Sequence, residues 1–135
     1  MADSTRALIS AILAFSTLLA TAALWRHPLA LIVLVLAVGL GIFLLRPTRP
    51  SLVVYAVGFV FGPTAEVLGI HAGAWRYSTG DFLGIPIWLP FVWGNAALFI
   101  QNAAEVATSV LSPGRRDGAV PPVPSQRRED DRQRV

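Results

Sequence analysis

Glu66 is a carboxylic acid inside a hydrophobic helical run, Ser51 to Trp75, that otherwise reads as membrane-spanning. A carboxylate at the centre of a bilayer helix costs roughly 2–4 kcal/mol, and protonation or a polar partner inside a bundle lowers that cost. Three roles fit such a residue: a neutral acid hydrogen-bonded to a neighbouring helix, a general acid that protonates a substrate, or a station on a proton or ion pathway. At 100° per residue Tyr55, Gly58, Gly62, Glu66, Gly69 and Gly73 share one helical face. Glycines so spaced let a neighbouring backbone approach closely. Glu66 is therefore expected to face protein, and Gly62→Leu to disrupt packing more than the same change at Gly39.

The last hydrophobic stretch supplies the partner. Trp88, Asn95, Asn102 and Ser109 recur every seven residues, with Gln101, Glu105 and Thr108 as a second polar strip beside them. Glu66 precedes Trp75 by nine residues and Asn95 follows Pro86 by nine, so an antiparallel pair brings them to similar depth, and a Glu66–Asn95 hydrogen bond is expected. In a catalytic reading Asn95 orients the acid. Trp75, Tyr77, Trp88 and Trp93 flank the preceding turn, either as an aromatic belt at the membrane surface or as a pocket that binds an apolar substrate and stabilises a cation by cation–π attraction.

Composition sets the medium. The 135 residues are 54% hydrophobic with a mean hydropathy of +0.59, too apolar for a soluble domain of this size. With no cysteine, disulfides, thiolate metal sites and Cys nucleophiles are excluded. The two histidines, His27 and His71, are far apart, so no metal or cofactor is expected. No phosphate loop, nucleophile elbow or zincin motif occurs. Six of the eleven basic residues, all Arg, follow Leu111 beside four acids, and no basic patch with interleaved aromatics exists elsewhere, so nucleic-acid binding is not expected.

Four apolar stretches, about 7–25, 28–45, 52–75 and 86–111, are each near the ~20 residues that span a ~30 Å hydrocarbon core. The fold class is accordingly all-α: an integral membrane four-helix domain over residues 1–111, with a Pro-, Arg- and acid-rich tail, 112–135, expected to be disordered. Pro28 suits the first turn of the second helix, and Arg46–Pro50 is expected to separate the second and third. Pro86 and Pro90 predict a kink or an interfacial first turn in the fourth. Arg6, an apolar run and Ala20-Thr21-Ala22 also imitate a cleavable secretory signal. The arginines concentrate at the N-terminus, the second loop and the tail, which places both termini in the cytoplasm of a multi-pass inner-membrane protein.

Glu66-x-x-Gly69, Gly73-x-Trp75-x-Tyr77, Leu83-Gly84-Ile85-Pro86 and Trp93 resemble the membrane-embedded carotenoid biosynthesis proteins, the hydratase group and more distantly the small lycopene cyclase domains. The resemblance covers about residues 62–93. It implies Glu66 as the acid and Trp75 and Tyr77 as the aromatic pair. The hydratases are about twice this length, and the glutamate pair expected of the cyclases is here Trp88 and apolar residues. Three function classes stand: an accessory or structural membrane protein binding a partner or a second copy through the glycine face; an enzyme acting on an isoprenoid or other long apolar substrate, with Glu66 as general acid; and an oligomeric proton or small-solute pathway.

Overall fold

A computed structural model describes residues 3–111, which form four helices: α1 (Asp3–Leu24), α2 (Pro28–Leu44), α3 (Arg49–His71) and α4 (Leu89–Leu111). Among the described residues there is no β-strand, only an isolated bridge between Phe82 and Ile85. The protein is all-α, and α1 from Ser4 and the whole of α3 are long and apolar enough to cross a membrane. Residues 112–135, expected from composition to be a disordered tail, lie outside the described residues.

The helix ends follow local chemistry. Thr48 caps α3, its Oγ1 accepting the Ser51 N–H at 3.3 Å. Pro50 therefore sits in the first helical turn, where no intrahelical donor is needed, and α3 begins three residues before the expected Leu52. It also ends four residues before the expected Trp75. Gly73, at φ +75°, lets the chain close a Schellman motif: Ala74 N–H donates to Gly69 O and Gly73 N–H to Ile70 O, both at 3.0 Å. Gly73 is thus a helix stop and not a member of the packing seam. Pro90 lies in the first turn of α4, which starts at Leu89, so the expected conflict with Pro86 is resolved by a later helix start. Pro63 stands inside α3 and is buried. Its missing N–H removes the helical donor to the Phe59 carbonyl.

α4 is the hub. It packs on α1, α2 and α3, whereas α3 has its principal contact with α4, and α1 and α2 pack together as an antiparallel hairpin. The α1–α4 contact is a polar ladder. Asn102 Nδ2 donates to Ser10 Oγ at 3.1 Å and Asn95 Nδ2 reaches Thr17 Oγ1 at 3.5 Å; the four residues are buried. Both rungs obey one antiparallel register, and each step is seven residues on both helices. Asn95 Nδ2 also donates to Val35 O on α2 at 2.8 Å. That carbonyl is accessible because residue 39, one turn later, is glycine: a Cβ there would overlap the Asn95 amide.

The α3–α4 contact is built from small residues. A Cβ at Gly58 would strike Ala97 and the Trp93 carbonyl, one at Gly62 would enter the Trp93 ring, and one at Gly94 would meet Tyr55. The glycine face of α3 therefore packs within the chain. The expectation that Gly39 tolerates bulk better than Gly62 is corrected, since both positions are filled by a neighbouring side chain.

Asn95→Ala should lower stability in detergent by about 1–2 kcal/mol and Asn102→Ala by about 1 kcal/mol, because Asn95 ties three helices and Asn102 two. Unfolding midpoints of the two variants check the order. Gly39→Leu and Gly62→Leu should both abolish accumulation of folded protein, measured by size-exclusion chromatography.

Candidate functional site

Five residues, about 7.5 Å of helix rise, separate Glu66 from the end of α3 at His71. The acid is therefore near a helix terminus and not mid-helix. Helix geometry then sends the chain back over it. The Schellman turn redirects the backbone, and Gly69 provides a flat surface on which the Trp75 ring lies, so that a Cβ at 69 would collide with it. The indole N–H donates to Glu66 Oε2 at 2.9 Å. The Tyr77 phenol is a second hydrogen-bond partner of the same carboxylate. Partial burial, then the hydrogen bond to Glu66 and its charge, hold the Tyr77 hydroxyl protonated and push its pKa up to about 12.

The rest of the 72–88 loop is pinned to the end of the bundle. Asp81 and Phe82 N–H both donate to Ile85 O at 3.1 Å, Ile85 N–H returns to Phe82 O at 2.9 Å, and Asp81 Oδ2 accepts the Ile87 N–H at 3.2 Å. Ile85, Trp88 and Leu89 are buried with Ala20, Leu31 and Val35, and Tyr77 packs against that cluster.

The structure divides the residues singled out from the sequence. Glu66, Trp75 and Tyr77 converge. Asn95 does not join them: its amide donors go to Val35 and Thr17, and the expected Glu66–Asn95 hydrogen bond is not formed. Two things separate them: the Gly58–Ala97 and Gly62–Trp93 contacts set Glu66 level with the start of α4, well short of Asn95, and Asn95 lies about half a turn around α4 from the Trp93–Ala97 face that meets α3. Trp88 is in the core, and Trp93 fills the α3–α4 seam beside Gly62. The four aromatics therefore do not line one pocket. Three lateral grooves of about 410, 650 and 310 Å³ are lined elsewhere, the first including Thr17 and Asn95, the second Trp93 and Gln101, the third Gly39 and Tyr55.

At the opposite end Glu105 forms an ion pair with Arg46 of the α2–α3 link and accepts from Gln101 Nε2 at 3.4 Å. The polar strip of α4 shows Glu105 in the sequence but not its counter-charge, the arginine just past the end of α2. His71 points away from the acid and donates Nδ1–H to Val67 O at 2.8 Å. Among the described residues no three His, Asp or Glu side chains gather as a metal site would require.

No family model, curated protein or solved structure matches this chain. What the Glu66 cluster does is therefore argued from its chemistry: one acid, two neutral donors, and a loop fastened to a helix.

The sign of the Tyr77 effect is testable. A phenol with a folded pKa raised above 10.0 contributes stability below pH 10.0 that is lost as pH rises toward about 12. In a Tyr55→Phe background, tyrosinate absorbance should report that late titration. Glu66→Gln should move it back toward, though not fully to, the ordinary value, because burial persists.

Proposed function

We propose that the protein is a small multi-pass membrane protein with a structural or accessory role. The supporting observation is its inside-out surface. Large apolar side chains such as Phe15, Leu29, Val33, Phe61, Leu68 and Ile100 are exposed, while Ser10, Thr17, Asn95 and Asn102 are turned inward. Soluble monomers rarely present contiguous apolar surface on this scale, and a lipid environment makes both halves of the pattern favourable. α2 is short, about 26 Å at 1.5 Å per residue, and α4 is less apolar, but α2 packs on α1 and accepts the Asn95 amide at Val35 O, and α4 is bonded to α1 through the ladder. On this reading all four helices cross, and the Arg distribution puts both termini in the cytoplasm of an inner membrane.

α1 belongs to the mature protein in this reading. It supplies Ser10 and Thr17 to the ladder and Ala20 to the core, so removal after Ala22 would leave the Asn102 amide without its partner and Asn95 with Val35 O alone. The glycine face of α3 is occupied by α4, which leaves the exposed apolar sides of the helices, and not that seam, for a membrane partner or a second copy. A proton or small-solute pathway through one copy is disfavoured: the ladder's two rungs are about 10.5 Å apart, too far for direct relay.

An enzymatic reading is favoured by one observation, the convergence of Glu66, Trp75 and Tyr77, the three residues that the carotenoid-type resemblance implies. Here Glu66 would protonate an isoprenoid double bond beside the two rings, without help from Asn95. Against it, both neighbours address the carboxylate as an acceptor, which is the use a loop clamp makes of it.

Topology is tested by reporter fusions: one after Ser112 should be active only in the cytoplasm, one at Thr79 only on the far side. Intact mass should retain residues 1–22. Glu66→Gln distinguishes clamp from acid. In a host accumulating linear carotenoid precursors, the wild-type lipid profile should match the empty vector; a hydrated or cyclised product made by wild type and lost in Glu66→Gln would establish the enzyme instead.

A further inference from the structure

We propose that the Phe82–Leu83 turn is a lipid-contacting tip, which makes the α3–α4 loop re-entrant: it dips back into the bilayer interface instead of projecting into water. The inference rests on the membrane reading of the helices and goes beyond it in assigning a partner, the headgroup and upper acyl zone of the bilayer, to a segment between them.

The first observation is depth. The Trp75 indole N–H reaches Glu66, more than a turn before the end of α3, so the loop descends alongside the helix. Ile85 is buried against Ala20 and Leu31, which lie about one turn inside the ends of α1 and α2. The loop is thereby held level with the last helical turns. The second observation is the side chains it turns outward. Phe82 is 67% exposed, Leu83 57%, Ile87 50% and Trp75 49%, an apolar set on one short segment. The third is backbone strain. Leu83 has φ +51°, a left-handed conformation that glycine or asparagine adopts far more readily than a bulky residue. Gly84 beside it, at φ +84°, meets the same demand without cost. Leu83 makes no core contact that would offset the strain. Burial in lipid supplies the missing stabilisation, and the surface is continuous in kind with the exposed apolar side of α3 at Phe61 and Leu68.

The chain has no cysteine, so single labels are straightforward. An environment-sensitive fluorophore is placed at Phe82→Cys, Ser78→Cys or Phe61→Cys in the full chain, reconstituted in phosphatidylcholine vesicles that contain phosphatidylcholine bearing a nitroxide near the headgroup or deeper on the acyl chain. All three side chains are exposed, so each variant should fold. The label at 82 should emit to the blue of the label at 78 and be quenched several-fold more by the headgroup-proximal nitroxide, with little quenching by aqueous iodide. Iodide quenching at 82 equal to that at 78 would overturn the proposal. So would a label at 82 shielded from both quenchers, which would mean contact with a second copy or another protein. The label at 61 separates the two failures: acyl-chain quenching there with none at 82 leaves the membrane reading standing and removes the re-entrant tip, whereas no lipid quenching at 61 removes both.

Discussion

The buried amides of Asn95 and Asn102 constrain everything else in the fold. In an apolar medium each unsatisfied polar group costs several kcal/mol, so the amide N–H groups of both side chains must find partners inside the protein, although the buried Asn95 Oδ1 accepts no bond. They find them on α1 at Ser10 and Thr17, in matching seven-residue steps. That pairing fixes the axial register of α1 against α4, since a slip of one residue would break both rungs. Extended by another heptad, the same register brings Leu24 toward Trp88, and both belong to the apolar cluster that closes this end of the bundle. On the membrane reading a heptad-spaced polar stripe is a specification device more than a source of energy, because interhelical hydrogen bonds in membranes average well under 2 kcal/mol.

Glycine sets the azimuth where asparagine sets the register. Asn95 reaches the Val35 carbonyl only because Gly39 leaves the space that a side chain would fill. On the other side of α4, Gly58 and Gly62 admit Ala97 and Trp93, and Gly94 admits the Tyr55 ring. Tyr55, Phe59 and Phe91 then continue along that junction, with the Phe59–Phe91 edge contact at 5.2 Å between centroids. α4 can therefore serve three neighbours at once: polar toward α1 and α2, small and aromatic toward α3. This explains why α3 leans chiefly on α4 and leaves a groove toward α2.

Much of this was legible in the residues. Hydrophobic run length placed four helices, and the period of Trp88, Asn95, Asn102 and Ser109 identified the inward stripe of α4. What failed has a common physical origin. Sequence spacing gives position within one helix, but the offset and rotation of two helices depend on which faces interlock. The α3–α4 seam runs through Gly58–Ala97 and Gly62–Trp93, which sets Glu66 level with the start of α4 and turns Asn95 away from α3. Gly73 fits the glycine face by period alone. Its position after His71-Ala72 is equally a Schellman signature, and local hydrogen bonding decided the matter. Pro50 has the look of a break, yet a proline at the second helical position lacks only a donor that the helix does not use.

The position of Glu66 toward the end of α3 bears on its purpose. An acid at the bilayer centre demands explanation because its desolvation is unrelieved. If α3 crosses a membrane, an acid this close to the helix end meets a smaller demand, and the depth-dependent cost falls further when donors are supplied. Here two donors arrive from the following loop, Trp75 and Tyr77, and each also contributes apolar ring surface, one against Gly69 and the other against the Ile85–Trp88 cluster. The same contacts that satisfy the acid thus bring the loop down onto the helices and position Ile85 as a plug. An acid freed for catalysis would need to exchange its partners with a substrate, and every exchange would release the loop that completes the core. The coupling of those two events is the physical reason to regard Glu66 first as a fastening of the fold.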